Sequence, residues 1–168
     1  DSRFDGFQMQ DDPGRYWNGD GIATEGGLQS LTLRRVSLTN NTDAGLDTKS
    51  ANVVLDQVRA AGNKRNFRFW AGPVRASTLI SETPIKRGGD YAAAHIWISG
   101  AGGATPVVRI KHLIVRSTNR TPIFLVEDGA ADIAVERCTI DVPPGTPFME
   151  AGDRRMRWQL GPGCRVAG

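Results

Sequence analysis

The chain has 168 residues, with 20 glycines, 9 prolines, two cysteines and a formal net charge of +3. That length suits one domain over 1–168, read here as a piece of a longer chain, and no stretch of about twelve residues keeps a helical period. No apolar run reaches the roughly 18 residues that cross a bilayer, and the basic residues are interleaved with acidic ones without a nucleic-acid motif, so neither a membrane nor a nucleic acid is expected as partner.

In chain order, the informative signal is a repeat. Leu31, Leu33, Val36 and Leu38 form an apolar set. It recurs as Val53, Leu55, Val58 and Ala60, then as Val74, Ala76 and Leu79. Further copies are Val108, Ile110, Leu113 and Val115, and then Ile133, Val135, Cys138 and Ile140. The offsets are about 22, 21, 34 and 25 residues, a period that marks a stacked architecture. Each set reads in, out, in, then a break, then in, out, in, which is strand alternation. One turn of a parallel β-helix fits this length, with each coil pairing only with its neighbours.

Asn40-Asn41 and Gly62-Asn63 mark sharp corners, where glycine and asparagine supply positive φ. The fourth coil is long. Residues 84 to 95 read as an inserted loop before His95-Ile96-Trp97-Ile98 resumes the alternation, and Gly100-Ala101-Gly102-Gly103 turns the chain out again. The fifth coil holds Ile123 to Glu127 and the sixth Pro147 to Glu150. Two cysteines are too few for a disulfide scaffold. Cys138 falls on an apolar row and reads as an interior residue, while Cys164 lies outside the ladder; a bridge between them stays open. The expected fold is an all-β, right-handed, single-stranded parallel β-helix of about six or seven coils.

The second halves of the coils align on Ile22, Leu46, Phe67 and Ile96, and two positions on at Thr24, Thr48, Phe69 and Ile98. Residues between them should point outward. One outward column is then Ala23, Asp47, Arg68 and Trp97; a second is Glu25, Lys49, Trp70 and Ser99; a third is Gly21, Gly45, Asn66 and His95. Neighbouring parallel strands lie about 4.8 Å apart, so Asp47 should meet Arg68, and Glu25 should meet Lys49. Asp20, Asp43, Lys64 and Arg65 sit at the bend entering this face. Carboxylates, cations and aromatics on one exterior face suit an acidic sugar polymer, with Ca²⁺ held by oxygen ligands and Trp70, Trp97 and Tyr91 stacking on sugar rings. Gly21 and Gly45 would let a ligand approach the backbone.

Asn18-Gly19-Asp20-Gly21-Ile22, followed one coil later by Asp43-Ala44-Gly45-Leu46-Asp47, resembles the pectate lyase superfamily, in a pattern similar to the family nine pectate lyases. In that family four aspartates hold calcium and a lysine further along is the base. Asp20, Asp43 and Asp47 fall on three of the four carboxylates, and Ala44 stands at the fourth. The resemblance implies a secreted or periplasmic polysaccharide lyase that cleaves a uronate-containing glycan by β-elimination. Lys64, Arg65, Arg68 and Lys49 are the candidates for base and anion holder, and Glu25, Trp70, His95 and Trp97 for substrate contact. Asn41-Thr42-Asp43 and Arg109-Ile110-Lys111 also occur in polygalacturonase-type glycoside hydrolases. No Asp-Asp follows in the next coil and no Gly-His-Gly exists, so the two carboxyls that inverting hydrolysis needs are not in view. A non-catalytic polysaccharide-binding module and a structural β-helix are the other readings, since fold does not fix function.

Overall fold

The computed structural model describes residues 1–9, 17–100, 103–152 and 155–166. The turn read at Gly100–Gly103 falls partly outside these residues. A nine-stranded sheet contains β1 (Ser2–Asp5), β3 (Ser30–Arg34), β4 (Val36–Thr39), β6 (Asn52–Asp56), β7 (Val58–Ala61), β9 (Val74–Glu82), β11 (Val107–Arg116), β13 (Ala131–Asp141) and β15 (Met156–Leu160). A six-stranded sheet contains β2 (Ile22–Thr24), β5 (Ala44–Thr48), β8 (Arg65–Phe69), β10 (Ala94–Ile98), β12 (Phe124–Val126) and β14 (Met149–Ala151). The pairings are parallel throughout, and each coil lies on the next.

The solenoid makes about five turns rather than six or seven. The difference lies at the ends. β1 covers only the β4 part of the next coil, and β15 pairs with only the first half of β13.

The interior is a set of aligned rows, and their register follows the repeat. Leu31, Val53, Val74, Val108 and Ile133 stack in one row. Ile22, Leu46, Phe67, Ile96, Phe124 and Met149 stack in another on the opposite sheet. Most of these side chains are fully buried, each contributing about 1.5–3 kcal/mol of apolar burial. The break within each half is real. Arg35 and Gln57 take positive φ of 50° and 55° there, as Asn40 and Gly62 do at the next corner with 58° and 66°. In the later coils, β9, β11 and β13 run through the equivalent position as continuous strands.

Cys138 is interior as read, and it is bonded to Cys164. The bridge ties the tail beyond β15 to an apolar row of the preceding coil. A pair of cysteines thus forms a staple at the end of the stack, where fewer coils supply contacts.

One column departs from simple alternation. Gly21, Gly45, Asn66 and His95 point inward, not outward. The strand partners run Ala44 to Arg65 and Leu46 to Phe67, skipping the residue between. A Cβ on Gly45 would meet the Asn66 carbonyl oxygen at 2.6 Å, Asn63 Nδ2 at 2.8 Å and the Ala60 Cβ at 3.2 Å. These glycines therefore make room for an interior polar network, not for an external ligand. Its members are Asn41, Asn63, Asn66, Ser81 and His95, all fully buried. Asn41 donates to Asn63 Oδ1 through both its backbone N (2.9 Å) and its Nδ2 (2.8 Å). Asn63 Nδ2 donates to the Leu38 carbonyl at 2.9 Å, and Asn66 Nδ2 to Ser81 Oγ at 2.8 Å. Buried amides require such partners.

Gly45→Ala should cost about 1–3 kcal/mol in urea unfolding, because the contacts include backbone that cannot yield. Gly26→Ala, where a Cβ meets nothing within 4 Å, should stay within about 0.5 kcal/mol.

Candidate functional site

The site is built on the outward side of β5, β8 and β10, where a carboxylate, a guanidinium and an indole fall in register as Asp47, Arg68 and Trp97. Arg68 Nη1 lies 2.9 Å from Asp47 Oδ2 and 3.3 Å from Asp43 Oδ2. Arg65 Nη1 lies 3.1 Å from Asp43 Oδ1. Trp70 Nε1 donates to Asp47 Oδ1 at 2.7 Å. Lys49 and Glu25 pair at 2.6 Å one column over, nearer solvent. The expected neighbours Asp47/Arg68 and Glu25/Lys49 are thus in contact.

Exposure is the main departure from an open ridge. Asp43 and Lys64 are fully buried, Trp97 is 1% exposed, and Asp47 and Arg68 are each 8% exposed. The cover comes partly from the segment between β9 and β10. Tyr91 lies over Lys64 Nζ at 5.8 Å and over the Arg65 guanidinium at 5.7 Å from ring centroid. Arg87 bonds to the carbonyls of Asn41 and Gly62, and Gly88 lies so close to the Trp17 ring that a Cβ would sit 2.5 Å from it. The inserted loop folds back onto the solenoid.

Aromatic rings and guanidinium groups interleave beneath it. The Arg68 guanidinium is 4.5 Å from the Trp70 ring and 4.8 Å from the Trp97 ring. Arg65 is 5.3 Å from Trp97. The two indoles meet edge-on at 4.7 Å. Cations over such rings gain more when desolvated, up to about 2 kcal/mol each. Trp97 Nε1 donates to Glu127 Oε2 at 2.9 Å. Arg65, Arg68, Trp70, Tyr91, Trp97, Glu127 and Asp128 line a pocket of 260 Å³. Extending the Glu25, Lys49, Trp70, Ser99 column by one coil reaches Glu127, which sequence reasoning left out. Asn41 and Asn63 read as corner residues, and their hydrogen bonds, like that of Ser81, are not legible in the sequence because the partners lie across a bend.

The charged groups respond to this burial. Lys64 Nζ has no hydrogen-bond partner among the described residues. Burial pushes its pKa below the usual lysine range; Arg65, Lys86 and Arg68 reinforce the shift and Asp43 opposes it. Burial also raises Asp47, against the pull of Arg68 and the Trp70 hydrogen bond. Asp20 accepts from the Ala44 backbone N at 2.7 Å. Its carboxyl is pushed up to about 6, chiefly by burial, with the nearby negative charges of Asp43 and Asp47 adding to it.

His95 lies on the inner side, away from this pocket. Its Nδ1 is 2.8 Å from Ser81 Oγ, its Nε2 has no partner among the described residues, and enclosure lowers its pKa to about 3. It does not reach a substrate on the outer face.

Asp20, Asp43 and Asp47 do not suit a calcium ion. Both oxygens of Asp43 face guanidinium groups, and those of Asp47 are held by Arg68 and Trp70. The described residues contain no group of three or more carboxylate, histidine or cysteine ligands arranged for a metal. Arginines supply the positive charge where the resemblance would place a cation.

No family model matches the chain, and no solved structure matches it significantly. The chain is similar to a cutinase of Colletotrichum truncatum, 23% identical over 114 residues, which are 68% of this chain and 42% of that protein. It therefore spans less than half the length of the curated relative it matches.

Two outcomes are expected. Arg68→Ala strips a countercharge from two buried carboxylates and should cost about 3–5 kcal/mol in denaturant unfolding. Asp20 binds its proton more tightly folded, at about 6, than at its ordinary 3.8. Between those values the native state holds more protons, so stability should fall as pH rises from about 4 to about 6, by on the order of 1–2 kcal/mol. Thermal melts of the wild type and Asp20→Asn over this range check it; the variant should lose the dependence.

Proposed function

We propose that this chain is a polysaccharide lyase-like β-solenoid that binds a uronate-containing glycan at the Trp70/Tyr91/Trp97 pocket and cleaves it by β-elimination. One observation carries the reading: a solvent-excluded lysine, with a lowered pKa and no hydrogen-bond partner among the described residues, lies 5.8 Å from the Tyr91 ring, beside the pocket that Arg65, Arg68, Trp70, Tyr91 and Trp97 line. A lysine general base requires such a shift. In the reaction, Lys64 Nζ takes the proton alpha to the uronate carboxylate. The carbon–oxygen bond on the adjacent carbon breaks, a carbon–carbon double bond forms, and the leaving sugar oxygen gains a proton from solvent. Arg65 and Arg68 supply positive charge for the carboxylate, so calcium has no part. Trp70 and Tyr91 offer faces to sugar rings, and Tyr91 must move aside to open Lys64. Lys49, held in an ion pair with Glu25, is the weaker candidate for the base. A secreted location accords with the Cys138–Cys164 bridge, since disulfides persist in oxidising compartments.

The closed set of ion pairs around Arg65 and Arg68 favours a second reading, a binding module without catalysis. Ester hydrolysis, suggested by the name of the cutinase relative, finds no support at the Ser81–His95 contact, because both residues are fully enclosed in the solenoid.

Incubation with pectate, alginate and glycosaminoglycans, followed by ultraviolet absorbance of unsaturated uronates, tests the proposal. Lys64→Ala should lower the rate at least about 100-fold with binding within a few-fold of wild type. The wild-type rate should rise with pH and level off below the normal lysine range. Binding without unsaturated product assigns the module reading; new reducing ends without unsaturation assign a hydrolase.

A further inference from the structure

A second charged surface lies on the other sheet, away from the pocket just described. A groove of 560 Å³ runs across the outer side of β3, β6, β9, β11 and β13, within the size range of ligand sites, about 300–1,000 Å³. Its floor is apolar, with Val54 and Ala134 among its members, and its rim is basic: Arg34, Arg75, Arg109 and Lys111.

The basic residues are not balanced as those on the six-stranded sheet are. Arg75 and Arg109 are direct register partners on adjacent strands, an arrangement that costs free energy when nothing lies between the charges. Arg109 turns to Asp132, at 2.9 Å. Arg34, Arg75 and Lys111 have no ion pair among the described residues. The acids nearby do not compensate. Asp56, in register with Arg34, accepts from Ser77 Oγ, and Glu136 pairs with none of the cations among the described residues. The column through Arg75 and Arg109 continues into Ala134, whose small side chain leaves the groove open at that end.

We propose that this groove is a separate binding site for an extended acidic oligosaccharide. Carboxylate or sulfate groups bridge the stacked cations, whose spacing of about 4.8 Å is set by the coil repeat, and the apolar sides of the sugar rings lie on the floor. Guanidinium groups suit this because they bind oxyanions through paired N–H donors. The site does not depend on the pocket at Trp70 or on any chemistry at Lys64.

Titration calorimetry of the full chain with a galacturonate hexamer, a heparin-derived hexasaccharide and a neutral cello-hexamer tests it. The acidic hexamers should bind with an affinity that falls steeply with salt, and the neutral one should not. Arg75→Glu/Lys111→Glu should weaken acidic binding at least tenfold and flatten the salt dependence. Both residues are exposed, and an unchanged thermal midpoint would show that the variant folds. The loss in Arg75→Glu/Lys111→Glu should be the same when it is measured in a Trp70→Ala background, where the proposed lyase pocket is impaired, so failure of this site and failure of that pocket are told apart. Unchanged affinity in the folded double variant, equal binding of the neutral hexamer, or no acidic binding in the wild type would overturn the proposal.

Discussion

Parallel pairing at a spacing of about 4.8 Å sets each side chain beside the equivalent side chain of the next coil, on the same face and in the same direction. No residue on a solenoid of this kind has an independent environment. An apolar residue needs apolar neighbours above and below, as Leu46, Phe67 and Ile96 have. A charge needs an opposite charge, a ring or solvent. The interior rows satisfy the first demand along the whole stack. The outer faces meet the second in two ways.

On the six-stranded sheet the demand is met internally. Asp43 and Asp47 hold Arg65 and Arg68, and indole and phenol rings cover the guanidinium faces. Buried ion pairs of this kind add little net stability but are costly to break, so the cluster is rigid. Lys64 is the exception, an amine enclosed by its neighbours without a hydrogen bond among the described residues. On the nine-stranded sheet Arg75 and Arg109 stack like on like, with solvent as the alternative partner. Arg109 is paired with Asp132, while Arg34, Arg75 and Lys111 have no ion pair among the described residues.

The inner polar network solves a different problem. At each corner entering the six-stranded sheet the chain turns twice within a few residues, and two successive side chains, Asn66 and Phe67 in one coil, face inward. A second inward side chain needs space, supplied by Gly21 and Gly45 in the earlier coils, and hydrogen bonds, supplied by Asn63, Ser81 and the backbone. His95 occupies the same position one coil later and is spent on that network. The glycines that read as an opening for a ligand are an allowance for asparagine.

Local pattern by itself determined the strands, the pairing of coils and the contacts of Asp47 with Arg68 and Glu25 with Lys49. Alternation and repeat length leave no freedom once the strands are parallel, so side-chain neighbours follow from residue numbers. Which way Gly45, Asn66 and His95 face was decided by a bend of the backbone that breaks the two-residue period, and no composition signal marks it. The burial of the charged column was decided by the segment between β9 and β10, whose path over Lys64 and Arg65 depends on contacts with Asn41, Gly62 and Trp17 far away in sequence. The fit to calcium depends on side-chain partners in the same way. Three aspartates at suitable spacing promise a cation site, and only the folded coil turns both oxygens of Asp43 onto Arg65 and Arg68 and the second oxygen of Asp47 onto Trp70.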